Sequence, residues 1–282
     1  MRKIIIALVV LSASLFGAFQ AHAGSATPHL KSNAVLVFDA QEGRALYGKN
    51  TDAVMPIASI TKLMTAMVVL DAGLLLDEAV TIQADDVDRL KNTRSRLTVG
   101  MTLTRRELLA LALMASENRA AAALGRAYPG GTAAFVQAMN NKAAALGMAN
   151  SRFADATGLN SGNVASASDL VKMVGAASEY ELIRQLSTAP NREIEFTDSA
   201  HSLAFQNSNK LVRGGSSTGW DIGLSKTGYL SEAGRCLVMR ATIATKEVII
   251  VLLDSVGRNT RIADANRIKQ WMEAGLAKKR QG

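Results

Sequence analysis

Apolar residues alternate near both ends of the chain and take a helical period in its middle. Ala34-Val35-Leu36-Val37-Phe38 and Arg44-Ala45-Leu46-Tyr47 predict two strands, with the polar stretch Asp39 to Gly43 between them as a hairpin turn. Pro56 suits the first turn of a helix, because proline lacks an N–H that a first turn leaves unpaired anyway. That helix is predicted to run through Met64, Met67 and Val68 to about Asp71. Thr104 with Glu107 three residues on forms a capping box for a second helix, which carries the Leu-rich run to Met114. A break at Ala115-Ser116-Glu117-Asn118 precedes an Ala-rich helix ending near Pro129-Gly130-Gly131. Two more helices are predicted from Thr132 to Leu146 and from Ser168 to Leu186.

The last third returns to period two. Glu193 to Phe196, Leu224 to Tyr229, Cys236 to Thr245 and Val248 to Leu253 predict strands, and Asn259 to Ala274 a closing helix with Ile262, Ile268 and Trp271 on its inner side. The first two strands and the last three fit one five-stranded antiparallel sheet, with the closing helix packed on it. The fold expected is therefore α+β: a sheet lobe of about residues 31–58 and 192–282, and an inserted, mostly helical lobe of about 59–191. A cleft between two such lobes is a natural binding site.

The first residues read as an address. Met1-Arg2-Lys3 is a positive start, Ile4 to Phe19 is apolar, and Ala21-His22-Ala23 offers the small residues that a signal peptidase reads. A retained anchor is the competing reading, but the run falls short of the roughly 20 residues a spanning helix needs. Cleavage after Ala23 is expected, which leaves residues 24–282 as one catalytic domain, exported to a bacterial periplasm, with no C-terminal β domain. Peripheral membrane association stays open.

Composition narrows the chemistry further. With 48% hydrophobic and 20% charged residues the chain can bury a core, so long disorder is excluded. The sole cysteine, Cys236, excludes an intrachain disulfide framework and reads as a buried small hydrophobe. Three histidines without H-E-x-x-H argue against a zincin, and no metal or organic cofactor is expected. The net charge is +8, and removing Arg2 and Lys3 leaves +6. Scattered basic pairs and a basic tail account for much of it, without a nucleic-acid motif, so a solvated surface is expected rather than a nucleic-acid partner.

Three short motifs carry the candidate chemistry. Ser59-Ile60-Thr61-Lys62 puts a hydroxyl and an amine on one helical face. Serine needs a base to act as a nucleophile, and lysine serves only if burial or a nearby cation lowers its pKa. Alone the motif is weak, since a chain this long holds on the order of one S-x-x-K by chance. Ser116-Glu117-Asn118 comes next, at the break between two apolar helices. Its rival, Ser161-Gly162-Asn163, lies in a Gly-rich loop that is less well buried. Lys226-Thr227-Gly228 lies on a late strand, where glycine lets a substrate backbone come close.

In this order the three resemble the S-x-x-K, S-D-N and K-T-G signature of penicillin-binding proteins and class A β-lactamases, with S-E-N here for S-D-N. Phe38 to Gly43, Asp155-Ala156-Thr157-Gly158-Leu159 and Ser166 to Leu170 extend the resemblance to the low-molecular-mass D-Ala-D-Ala peptidases. It implies that Ser59 is acylated and Lys62 takes its proton. Ser116 relays protons to the leaving amine, and Asn118 holds the substrate amide. Lys226 and Thr227 bind the terminal carboxylate, and the N–H groups of Ser59 and Tyr229 form the oxyanion hole. Lys226 is expected to keep Lys62 neutral. Asp155 to Asn160 lacks the glutamate of a class A β-lactamase, which weakens that reading. The length resembles the small endopeptidases that cut peptide cross-links in peptidoglycan, with β-lactams as covalent inhibitors. The alternatives are a carboxypeptidase trimming pentapeptide stems and a non-catalytic penicilloyl sensor or wall-binding module.

Overall fold

The computed structural model describes residues 27–195 and 202–279. Cleavage after Ala23 and the strand end at Phe196 lie outside the described residues.

The chain opens with a hairpin, β1 (Ala34–Asp39) and β2 (Arg44–Lys49). Its turn is built by Asp39, which is buried and accepts the Gln41 and Glu42 N–H groups while Lys246 Nζ pairs with its other oxygen at 2.5 Å. Asp favours such self-closing turns. Three two-stranded ribbons brace the middle: β3 (Met55–Pro56) with β6 (Val164–Ala165), β4 (Ala79–Thr81) with β5 (Thr102–Thr104), and β7 (Asn191–Glu195) with β8 (Ser202–Gln206). Three long strands complete the set, β9 (Asp221–Leu230), β10 (Gly234–Ile243) and β11 (Lys246–Ser255). With the opening hairpin they form one antiparallel sheet in the order β2-β1-β11-β10-β9, as expected.

The helices are α1 (Lys62–Asp71), α2 (Arg105–Ala110), α3 (Asn118–Arg126), α4 (Gly131–Ala145), α5 (Ala167–Ala177), α6 (Glu181–Thr188), α7 (Lys210–Arg213) and α8 (Thr260–Lys279). Both faces of the sheet are apolar. Val35, Val37, Leu237, Met239, Ile250 and Leu252 pack under Ala265, Ile268 and Met272 of α8. The opposite face joins the larger core around α1, α2, α3 and α5. Burying each such side chain contributes about 1.5–3 kcal/mol. Among the described residues no helix is long and apolar enough to cross a membrane.

The structure corrects several local expectations. Pro56 does not open a helix but sits in β3, paired with Val164. A two-stranded ribbon tolerates proline because an edge N–H need not be paired. The expected helix from Ser168 to Leu186 is two helices. Ser178 Oγ donates to Val174 O and Gly175 O at 2.9 and 2.7 Å, which ends α5 by competing with its backbone ladder. The sequence reading also missed β8, the partner of β7.

Candidate active site

The chain enters the site from β3 through Ile57 and Ala58. Ala58 has φ +48°, a left-handed conformation unusual for alanine, and the short 3-10 turn Ala58–Thr61 leads into α1. Such strain persists only where neighbours hold it. Here two glycines do. A Cβ on Gly158 would lie 2.0 Å from the Ala58 carbonyl oxygen, and one on Gly228 would lie 2.9 Å from the Ile57 oxygen and 3.2 Å from the Ser59 nitrogen. The Ser59 turn is therefore clamped between the Asp155–Asn160 loop and β9.

Lys62 is fully buried at the head of α1. A buried amine needs partners, and Lys62 Nζ has three: Ser59 Oγ at 2.9 Å, Asn118 Oδ1 at 2.8 Å and the Thr157 carbonyl oxygen at 2.6 Å. Asp155 shapes the loop that brings this carbonyl in, by accepting the N–H groups of Thr157, Gly158 and Asn160. Asn163, from the rival motif, braces the same loop by donating to Asp155 Oδ1 at 2.8 Å, and among the described residues it has no hydrogen bond to either lysine.

Ser116 reaches the cleft through a change of helical winding. The capping box of Thr104 and Glu107 starts α2, which then continues as one π-helical stretch, Leu111–Ala115. A π turn admits an extra residue and re-aims the chain beyond it. Ser116 itself has φ +62°, and its Oγ accepts from Lys226 Nζ at 2.9 Å. Asn118 then opens α3. Its Nδ2 donates to Thr93 Oγ1 at 3.0 Å, and Thr93 donates from both N–H and hydroxyl to Asp88 Oδ2 at 2.8 and 2.7 Å. The amide is thus fixed with its oxygen toward Lys62.

The third motif lies on β9, the edge strand. Lys226 is buried and also donates to its neighbour's carbonyl, Thr227 O, at 2.9 Å. Thr227 Oγ1 and Ser208 Oγ are 2.7 Å apart. The Tyr229 side chain is 55% exposed under the Arg235 guanidinium, so only its backbone is suited to the cleft. Arg261 of α8 reaches behind the strand, with Nη1 3.5 Å from the Gly228 oxygen and a buried Nε lacking a partner among the described residues.

Ser59, Lys62 and Asn118 thus form one bonded group, and Ser116, Lys226 and Thr227 a second. Thr93, Ser208 and Arg261 join them without having been singled out in the sequence. They are isolated polar residues, and only the Asp88 turn gives a local signal for one of them.

The two lysines differ in electrostatic surroundings. Burial lowers Lys62 to about 7, against the charges of Asp155 and Glu117, which favour its ammonium form. Burial also drives Lys226 well below the ordinary lysine range, and the positive charges of Lys62 and Arg261 push it the same way. Burial is the leading cause for both lysines, and the repulsion between two ammonium groups is mutual, so a charge on Lys226 also disfavours one on Lys62. Cys236 is buried and its thiol is pushed up to about 11, so it is an inert packing group.

Comparison with known proteins places the chain in a family. Residues 21–257 match the family model described as D-alanyl-D-alanine carboxypeptidase. A D-alanyl-D-alanine endopeptidase of Pseudomonas aeruginosa is 46% identical over 285 residues, covering 98% of this chain and 90% of that one. A D-alanyl-D-alanine endopeptidase of Escherichia coli is 45% identical over 248 residues, covering 88% and 79%. The crystal structure of a Streptomyces DD-transpeptidase superposes with a TM-score of 0.81 at 30% identity, over 89% of this chain and 99% of that one. The chain is thus a serine-type DD-peptidase and belongs to peptidase family S11, the D-alanyl-D-alanine carboxypeptidases.

Proposed function

We propose that the protein is a penicillin-sensitive D-alanyl-D-alanine endopeptidase that cleaves peptide cross-links in peptidoglycan through an acyl-enzyme on Ser59. The observation that carries the chemistry is the 2.9 Å contact between Ser59 Oγ and a buried Lys62 whose pKa is about 7. An amine near neutrality can take the serine proton at the pH of its surroundings. Ser59 Oγ attacks the scissile carbonyl, and the N–H groups of Ser59 and Tyr229 receive the developing oxyanion. The C–N bond then breaks, and the proton taken by Lys62 reaches the leaving nitrogen through Ser116. Lys226 and Thr227 anchor the carboxylate beside the scissile bond, with the Arg261 charge behind the strand. Its negative charge restores the Lys226 ammonium, which in turn disfavours a charge on Lys62. Asn118 holds the substrate amide, and Thr93 with Asp88 holds Asn118. A water releases the acyl group.

The preference for cross-links over free pentapeptide is supported by the relatives named endopeptidase at 45–46% identity. The same reading has the first 23 residues removed on export, residues 24–282 acting as one catalytic domain in the periplasm, and β-lactams acylating Ser59. The test is a digest of purified cross-linked muropeptide dimers and of pentapeptide monomers, read by mass spectrometry, with wild type beside Ser59→Ala. Dimers become monomers with wild type alone. Loss of one D-alanine from pentapeptide with dimers untouched would make the enzyme a carboxypeptidase.

A further inference from the structure

Two open cavities differ in the charge of their linings. Beyond Asn118 an open cavity of about 320 Å³ is lined by Asp85, Asp88, Asp155, Arg89 and Thr157. A second open cavity of about 360 Å³ is lined by Arg94, Arg96, Ala115, Glu117, Phe205 and Gln206. Two of its lining residues, Ala115 and Glu117, flank Ser116, which the proposed mechanism places at the leaving nitrogen. Glu117 is the residue directly after Ser116 in the chain. Gln206 is two residues from Ser208, whose hydroxyl bonds Thr227 and whose N–H donates to the Met114 oxygen at 2.8 Å.

The arginines of this cavity are available. Arg96 lies 3.9 Å above the Phe205 ring, and its Nη1 donates to the Ala204 oxygen at 2.7 Å, which fixes the side chain and uses one of its five N–H groups. Arg94 has no ion pair or side-chain hydrogen bond among the described residues. Glu117 is the one acid in the lining, and it accepts the Arg119 N–H at the start of α3, where a helix N-terminus offsets negative charge.

We infer that this cavity receives the departing peptide, and that Arg94 and Arg96 bind a carboxylate on it. The inference rests on the endopeptidase reading. A single departing amino acid has its carboxylate beside the scissile bond, where Lys226 and Thr227 already lie. A departing stem peptide carries a further carboxylate at its own C-terminus and needs a second cationic anchor. Arginine suits this because its planar fork matches a carboxylate with two hydrogen bonds.

Wild type, Arg94→Gln and Arg94→Lys are compared on three substrates: a cross-linked dimer, the same dimer amidated at the C-terminus of the departing peptide, and penicillin. Arg94 is exposed and unbonded, so Arg94→Gln leaves the fold intact, and penicillin acylation verifies this. For Arg94→Gln the kcat/KM on the dimer falls about tenfold, the size of one charge-assisted hydrogen bond, chiefly through KM. Arg94→Lys keeps part of the activity, and penicillin acylation changes less than about twofold. Amidation costs wild type a similar factor and Arg94→Gln little more, as expected when the two changes remove the same contact. Equal loss on dimer and penicillin, or an unchanged dimer rate, overturns the cavity assignment. Amidation without effect on wild type overturns the carboxylate. Wild type that leaves dimers whole but trims pentapeptide overturns the endopeptidase reading, and the occupant of the cavity with it.

Discussion

Lys62 and Lys226 are both buried, yet they meet opposite company. Lys62 has three oxygen atoms within hydrogen-bond distance and two carboxylates, Asp155 and Glu117, acting on it from farther away. Lys226 has two oxygen partners, shares a mutual repulsion with Lys62, and has Arg261 as a further cation acting on it. The first setting lets an amine hold or release a proton near neutrality. The second makes the ammonium form unfavourable until an anion arrives. In the proposed mechanism one lysine exchanges a proton and the other binds a carboxylate. Two residues of the same type thus divide the chemistry by surroundings alone.

Arginine at each position separates the two roles most sharply. A guanidinium cannot give up its proton in a protein. Lys62→Arg is therefore expected to lower the rate of penicillin acylation by about a hundredfold to ten-thousandfold, the contribution of a general base. Lys226→Arg keeps a positive charge for the carboxylate and is expected to lose only about tenfold, from altered geometry. Mass spectrometry of the adduct over time gives both rates. Equal losses would break the comparison.

The glycines that hold each side sharpen it further. Gly158 has φ +84° and faces the Ala58 oxygen at 2.0 Å from any added Cβ, beneath the Ser59–Lys62 turn. Gly158→Ala combines left-handed strain with a backbone clash and is expected to cost about 3 kcal/mol or more of stability. Gly228 has no such φ, and its added Cβ would meet the Ile57 oxygen at 2.9 Å. Gly228→Ala is expected to stay folded and to lose activity as β9 moves off the nucleophile turn. Thermal unfolding beside penicillin acylation distinguishes them, and a stable Gly158→Ala would remove the clamp from the account.

The pH dependence is a smaller effect. The base acts as neutral amine, and with Lys62 at about 7 that form gains with rising pH. The limiting acylation rate is expected to climb about tenfold per unit on the acid side of this midpoint and to level on the alkaline side. In Lys226→Gln the like charge restored by the bound carboxylate is gone, so the ammonium form of Lys62 is favoured and the midpoint moves to higher pH. A midpoint that does not move would leave burial alone in control.

Much of this was legible in the sequence because the informative residues are neighbours. Ser59 and Lys62 are one helical turn apart, and Lys226 to Gly228 are contiguous. The five strands of the sheet are readable from alternation and short turns, although its first two and last three strands are far apart in the chain. What could not be read was set by distant partners. Pro56 suits a helix start equally well in isolation, and its pairing with Val164 decides for a strand. Ser178 divides a stretch of helical period through two hydrogen bonds that periodicity does not register. Arg261 arrives from the last helix, 35 residues beyond Lys226, with no motif around it.

Thr93 offers the smallest and most selective test. It bonds neither lysine directly, but its hydroxyl determines which way the Asn118 amide faces. The hydroxyl donates to Asp88 Oδ2, so it must accept from Asn118 Nδ2, and this leaves Asn118 Oδ1 for Lys62. Thr93→Val keeps the shape and removes the hydrogen bonds, which frees the amide to turn its N–H groups toward Lys62. Losing one hydrogen bond of about 1 kcal/mol predicts a loss of about fivefold in acylation. Thr93→Ser restores the hydroxyl and should restore the rate. If Thr93→Val keeps the wild-type rate, the hydroxyl does not matter, and the orientation of Asn118 must then be set by Lys62 alone.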